Sequence, residues 1–169
     1  MIHIFGKENI VSGLMIHQGV FAEKKFDAPN LVLHLLHGEA RVHTSDSFYT
    51  LQDQSIMVCG SSDLQIESND EETYLLIYQL YSRLLNAYSG STSIKLETKI
   101  VDTREPAGQH LKDDLNEVIG YIRQKQGQMD FHLIALSLEV LQTVVQSFSA
   151  SRMINNHRDN RIFEVLLYI

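Results

Sequence analysis

The feature that most limits the possible folds of this chain is a change in hydrophobic spacing near residue 105. From Ile2 to about Leu96, apolar residues occur in short runs or alternate with polar ones, and polar, Gly, Asn and Asp clusters separate the runs. From Pro106 onward, apolar residues recur at helical spacing. Many short strands at roughly regular intervals are typical of a sandwich or barrel rather than of βαβ units. The sequence therefore predicts a mainly β domain followed by helices.

The segments of the first half have the alternation, or the β-branched and aromatic content, that strands prefer. Turn residues such as Pro29 and Asn30 separate them. The predicted strands cover residues 11–17, 19–24, 31–36, 39–43, 48–51, 55–59, 64–67, 74–81 and 94–101.

The first predicted helix begins at Pro106 and ends near Gly127, because Pro suits a first helical turn and Gly suits a helix end. Its apolar residues fall at i, i+4, i+7, i+8 and i+11, which places them on one face. They are Leu111, Leu115, Val118, Ile119 and Ile122.

The second predicted helix covers Phe131–Phe148, with Asp130 as its N-cap. Apolar residues surround most of its circumference, so it must be covered on two sides. One side can pack within the chain, and a second copy of the chain is the simplest cover for the other. We predict that Leu138, Leu141 and Val145 form the stripe that faces this partner.

A polar, linker-like segment covers residues 149–160, and a new amphipathic pattern follows it. That pattern consists of Ile162, Val165, Leu166 and Ile169, and it stops at the last residue without a helix-ending signal. We therefore expect this chain to be a fragment of a longer protein, cut within the first helix of a following domain.

The composition excludes several classes of protein. The 169 residues are 44% hydrophobic and 21% charged, as in one ordinary globular domain. A net charge of −7 without a segregated basic patch argues against direct nucleic-acid binding by this part of the protein. The single cysteine fits a reducing cytoplasm. Neither a secretory leader nor an apolar run of roughly 20 residues is visible, so we expect no membrane contact.

The sequence contains no recognisable catalytic motif. It lacks a Gly-x-Ser-x-Gly elbow, a phosphate-binding Gly-Lys-Ser/Thr loop and a Gly-x-Gly-x-x-Gly pattern. Cys59 ends an apolar run beside Gly60, with no histidine nearby in sequence, and is interpreted as a buried structural thiol. We predict no catalytic residues.

Histidine is unusually frequent, and His34, His37 and His43 lie in one region with Glu39. Residues two apart share one face of a strand. His37 and His43 therefore fall on the polar, odd-numbered face, and His34 falls on the even-numbered face that we predict to point into the barrel. Only one histidine would then point inward, so we expect neither a metal nor another cofactor. His34 is interpreted as a core histidine or as a polar contact in a ligand pocket.

Tyr78 shares a strand face with Leu76 and Leu80. If this face is interior, Tyr78 and His34 both border a cavity that could hold a small polar molecule. Ordinary strand packing is the alternative interpretation of Tyr78.

Several segments resemble the N-terminal cupin-like sensor domain of AraC-family transcription regulators. Leu36-His-Gly38-Glu39 matches the Leu-x-Gly-Glu strand end of that family, and Tyr49-Thr-Leu51 matches part of its Tyr-x-Leu-x-x-Gly-Asp turn. Residues 59–63 correspond to its Pro-Gly-x-x-His loop, but the proline and the histidine are both missing. Residues 159–169 resemble the opening helix of the DNA-binding domain, in which Ile-x-x-Val-Leu-x-Tyr-Ile recurs.

This resemblance implies a cupin-like β-barrel or jelly roll followed by two long helices. Its parts would be an effector-sensing barrel in residues 1–104, a helical dimerisation pair in 105–151, and in 152–169 a linker and the start of a missing helix-turn-helix domain. It further implies a cytoplasmic bacterial homodimer that takes a small effector and contacts DNA only through the missing domain. A small cupin-fold enzyme and an effector-free structural dimerisation domain remain as alternatives.

Overall fold

The computed structural model describes residues 2–3, 13–26, 30–61, 63–80, 94–125 and 130–150 of the chain. Residue 1 and residues 151–169, at the two ends of the chain, are not among them. The expected linker and the start of a following domain are therefore still predictions.

The described strands form two antiparallel sheets. The larger sheet has the order β1-β2-β9-β4-β7-β10, and the smaller has the order β3-β8-β5-β6. The strands are β1 (Ile2–His3), β2 (Gly13–Gln18), β3 (Phe21–Phe26), β4 (Leu31–His37), β5 (Ala40–His43), β6 (Phe48–Leu51), β7 (Ile56–Cys59), β8 (Leu64–Ser68), β9 (Tyr74–Gln79) and β10 (Lys99–Ile100). The helices α1 (Pro106–Gln124) and α2 (Phe131–Phe148) follow. The predicted class, a mainly β domain with two helices after it, is confirmed.

The space between the two sheets holds an apolar core. On the central strand β4, Leu31, Leu33 and Leu35 point into this space and are fully buried. Ala40 and Val42 of β5, in the smaller sheet, line the other side of this core. The other members are Met15, Leu51, Met57, Cys59, Leu64, Ile66, Leu75 and Ile77. Burying each large apolar side chain stabilises the fold by about 1.5–3 kcal/mol, so this core holds the two sheets together.

A second core lies between the opposite face of the larger sheet and the two helices. Val32, Ile56 and Tyr78 form part of the sheet side. The apolar face predicted for α1 forms the helix side, where Leu111, Leu115, Val118, Ile119 and Ile122 are all buried. The outer face of the larger sheet is as apolar as the face that meets the smaller sheet. The two helices cover this outer face.

The ends of both helices follow the signals in the sequence. Pro106 occupies the first turn of α1, where its missing N–H is not needed. The carboxylate of Asp130 accepts a hydrogen bond from the Leu133 amide at 3.0 Å and caps α2, as predicted. Gly127, the predicted end of α1, lies outside the described residues.

By length and composition, α2 also meets the requirement for a membrane span. Half of this helix is buried within the domain. Core helices commonly pass the same length and composition test, so this is weak evidence for a membrane helix.

Candidate functional site

His34 lies on the helix-facing side of the larger sheet, opposite Ile56 of β7 and Leu76 of β9. The prediction that it points into the barrel is wrong. The even-numbered residues of β4 face the helices, whereas on β5 the even-numbered residues face the core between the sheets. A β-bulge between Leu35 and His37 lies near the end of β4, so the alternation does not continue unchanged from β4 into β5.

Gly38 makes the turn after this bulge possible. Its φ of 90° lies in the left-handed region that other residues rarely adopt. A Cβ atom at this position would also lie 2.7 Å from a carboxylate oxygen of Asp70 and 2.8 Å from the Cα of Thr73. The turn therefore needs glycine for its conformation and for its lack of a side chain.

The imidazole of His34 is fully buried, and neither ring nitrogen has a hydrogen-bond partner among the described residues. Burial, together with the positive charge of Lys112 on α1, lowers the pKa of His34 to about 4. The ring is therefore neutral at physiological pH. A buried polar group without a partner destabilises a fold, so such a group in a native domain is a candidate for a functional role.

Tyr78 lies on β9 opposite Val32, and its side chain faces the helices as well. Its hydroxyl donates a hydrogen bond of 2.6 Å to the backbone carbonyl of Ser137 in α2. Tyr78 therefore connects the sheet directly to the second helix.

The structure places His34 and Tyr78 on one face of adjacent strands, but this face lies beneath the helices and not inside the barrel, as the sequence had suggested. Leu76 is the cross-strand partner of His34, and Tyr78 is two residues further along β9. Diagonal neighbours of this kind are roughly 7–8 Å apart at their backbones. Lys112 and Ser137, which complete this region, were not predicted, because strand alternation does not reveal which helical residues cover a sheet.

The other two histidines of the predicted cluster, His37 and His43, have carboxylate neighbours, unlike His34. His37 is exposed and lies 3.2 Å from a carboxylate oxygen of Asp53 and 3.1 Å from one of Glu72. The hydrogen bond to Glu72 and the charge of Asp53 raise the pKa of His37. His43 lies 3.7 Å from Glu67. Throughout the part of the chain that the structure describes, no three His, Cys, Asp or Glu side chains are grouped to hold a metal ion.

Cys59 lies in the core between the sheets and is buried. Burial raises the pKa of its thiol to about 12. A thiol that stays protonated is a poor nucleophile. These observations agree with the structural role predicted for Cys59.

Two of the three residues predicted to face a partner, Leu141 and Val145, are buried within the chain. Leu141 and Val145 are each 1% exposed and belong to the core between the helices and the sheet, so they offer no free surface in this chain. Leu138 is only partly buried. The exposed side of α2 carries Phe131, Ala135, Glu139, Gln142, Gln146 and Ser147, and Ile134 is half-buried beside them. In its N-terminal half, α2 thus has buried apolar residues on one side and the exposed or partly exposed apolar residues Phe131 and Leu138 on another.

Comparisons with known proteins support this description of the fold. No protein-family model and no curated protein matches the chain. ToxT from Vibrio cholerae, an AraC-family regulator, is similar in structure with a TM-score of 0.51 and 12% sequence identity. The match covers 96% of this chain and 65% of ToxT, so this chain spans just under two thirds of that regulator.

Cupin proteins match over a smaller part of the chain. A cupin-2 domain protein from Shewanella frigidimarina has a TM-score of 0.33 and 18% identity, over 41% of this chain and 69% of its own. The cupin domain of Cnp3 from Schizosaccharomyces pombe has a TM-score of 0.38 and 15% identity, over 53% of this chain and 69% of its own. The chain thus shares with ToxT a fold in which antiparallel sheets are followed by two helices.

Proposed function

We propose that this chain is the effector-sensing and dimerising domain of an AraC-type transcription regulator. One observation carries the proposal: the likeness to ToxT extends over the β-domain and both helices, rather than over the β-domain alone. In this proposal the protein acts in the cytoplasm without membrane contact, does not catalyse a reaction, and binds DNA through a part that lies outside this domain.

Sensing is proposed to occur where the larger sheet meets the helices. His34 supplies two ring nitrogens without partners among the described residues, and Tyr78 supplies a hydroxyl that already contacts α2. A small polar molecule that bonded to either group would compete with the packing of the helices on the sheet. Such a change couples binding to helix position, and couplings of this kind are typically about 1–3 kcal/mol.

A ligand screen tests the sensing role. Binding of water-soluble metabolites to the purified domain can be followed by the rise in its melting temperature. A molecule that contacts the Tyr78 hydroxyl should stabilise the wild-type domain and lose most of this effect in Tyr78→Phe. Equal stabilisation of both proteins by every molecule found would contradict a role for Tyr78.

Dimerisation is proposed to use the N-terminal half of α2, on the side where apolar residues are at least partly exposed. Phe131, Ile134 and Leu138 lie at i, i+3 and i+7, on one side of the helix, and Phe131 is 88% exposed. An exposed phenylalanine within an apolar stripe is typical of an interaction surface. A second copy of α2 offers the same surface, as a two-fold symmetric interface requires.

A reporter assay tests dimerisation in cells. The chain is fused to a DNA-binding domain that represses its operator only as a dimer. We expect repression by the wild-type fusion and its loss with Leu138→Glu, whereas Gln142→Glu on the same exposed side should retain it. Repression that survives Leu138→Glu would contradict the proposed surface.

An effector-free dimerisation domain is the second candidate. The many apolar side chains that fill the described core between the sheets favour it, since a sensing barrel of the kind first predicted needs an internal cavity. A screen without any stabilising molecule, combined with a stable dimer, would support this candidate.

A further inference from the structure

Residues 94–102 connect the β-domain with one end of the helix pair, and we call them the connector. At its start, Leu96 forms an isolated antiparallel bridge with Ser149. The Glu97 amide donates to the carbonyl of Phe148 at 2.9 Å, and the Ala150 amide donates to the carbonyl of Lys95 at 2.8 Å. The last carbonyls of a helix lack partners within the helix, so the connector supplies a donor that α2 cannot provide for itself.

The connector is attached to the larger sheet through Asn30, which is only 4% exposed. The side-chain oxygen of Asn30 accepts a hydrogen bond of 3.4 Å from the Leu96 amide. Its backbone carbonyl accepts one of 2.9 Å from the Leu80 amide, just after β9. Asn30 therefore joins the start of β4, the end of β9 and the connector.

A second attachment lies at the end of β7. The Gly60 amide donates to the hydroxyl oxygen of Thr98 at 3.0 Å. A Cβ atom on Gly60 would lie 1.8 Å from the carbonyl oxygen of Leu96, so only glycine permits this approach. Beyond Thr98, the connector pairs with β7 through Lys99 and Ile100.

The end of the connector also meets α1. A Cβ atom on Gly108, in the first turn of that helix, would lie 2.1 Å from the carbonyl oxygen of Asp102. The connector thus contacts the beginning of α1 and the end of α2, and it contacts the sheet between them.

We propose that the connector is a clamp through which the β-domain sets the position of the end of α2, and so the direction in which the chain leaves at residue 150. Asn30 and Thr98 are its positioning residues. Opening the clamp frees the last turn of α2 while the two sheets stay folded. This inference does not depend on an effector or on dimerisation, although a regulator could use the clamp to pass a signal out of the domain.

Amide hydrogen exchange measured by NMR on the full chain tests this proposal. In Asn30→Ala, we expect the Glu97 and Ala150 amides to exchange about fivefold faster or more, since one buried hydrogen bond is lost. Exchange in the central strands β4 and β9 should stay unchanged. Thr98→Val, which keeps the side-chain shape and removes only the acceptor for Gly60, should have the same effect.

Asn116→Ala, at an exposed position of α1, is the matched control and should leave both amides unchanged. Unchanged exchange at Glu97 and Ala150 in the Asn30 and Thr98 variants would overturn the proposal. An equal rise throughout β4 and β9 would overturn it too, because the clamp would then not open separately from the sheets. If Asn30→Ala does not fold, Thr98→Val decides the question. The outcome of this exchange experiment does not affect the interpretation of the reporter assay or of the ligand screen.

Discussion

Replacing His34 by leucine should remove a large part of the acid sensitivity of this domain. The His34 ring is buried in apolar surroundings beside Lys112, and its pKa falls from an ordinary 6.5 to about 4. In the unfolded chain the same ring takes up a proton near pH 6.5. Between these two values the unfolded state binds a proton that the folded state does not, so the free energy of unfolding decreases as the pH falls.

The size of the effect follows from the two pKa values. Each pKa unit corresponds to about 1.4 kcal/mol, so lowering the pH from 7 to 5 should cost the wild-type domain about 2 kcal/mol through His34 alone. The full loss, about 3 kcal/mol, is reached below pH 4. His34→Leu has no proton to bind and loses none of this, and it also removes two buried nitrogens that have no hydrogen-bond partner in the described part of the chain.

The assay is urea denaturation of both proteins at pH 7, 6 and 5. The difference in unfolding free energy between His34→Leu and wild type should grow by about 2 kcal/mol in favour of the variant over this range. Asn116→Ala, at an exposed position of α1 without a titratable group, is the control and should follow the wild type. If His34→Leu loses as much stability as the wild type on acidification, the burial of a neutral His34 is refuted.

Three further experiments test the packing. Tyr78→Phe should lower the unfolding free energy by about 1 kcal/mol, since a buried hydrogen bond to α2 is lost, and an unchanged denaturation midpoint would contradict that contact. Gly108→Ala should destabilise by roughly 1–3 kcal/mol, because its Cβ would meet the backbone of Asp102, whereas Gly120→Ala, whose Cβ would meet no more distant described residue within 4 Å, should stabilise by up to about 1 kcal/mol. Cys59 should react with a thiol reagent at pH 8 only as fast as the domain opens, because burial raises its pKa to about 12; fast labelling of the folded domain would refute this.

The elements of the fold could be predicted where one hydrophobic period continues over several residues. The helix Phe131–Phe148 has its predicted boundaries, because an apolar run with an aspartate before it indicates both a helix and its start. The predicted last strand, residues 94–101, was largely wrong. Only Lys99–Ile100 pair with a sheet, since the preceding residues bond to the end of α2. A contact so distant in sequence leaves no local signal.

The surroundings of the candidate site could not be predicted for a different reason. The strand Leu31–His37 is apolar on both faces, so its pattern does not distinguish the side between the sheets from the side beneath the helices. For the same reason, the apolar circumference of α2 did not reveal that Leu141 and Val145 pack within the chain while Leu138 stays partly exposed. His34 and Tyr78 were identified as polar residues on apolar strand faces, but the helices that cover them were not.

Sedimentation velocity of the purified chain over a range of concentrations tests the central claim, that a second copy of this chain covers the exposed half of α2. We expect a species of twice the 19.3 kDa chain mass for the wild type. Phe131→Asp should sediment as a folded monomer under the same conditions. A wild-type chain that remains monomeric at its highest soluble concentration would refute pairing through α2, as would a dimer that Phe131→Asp leaves intact.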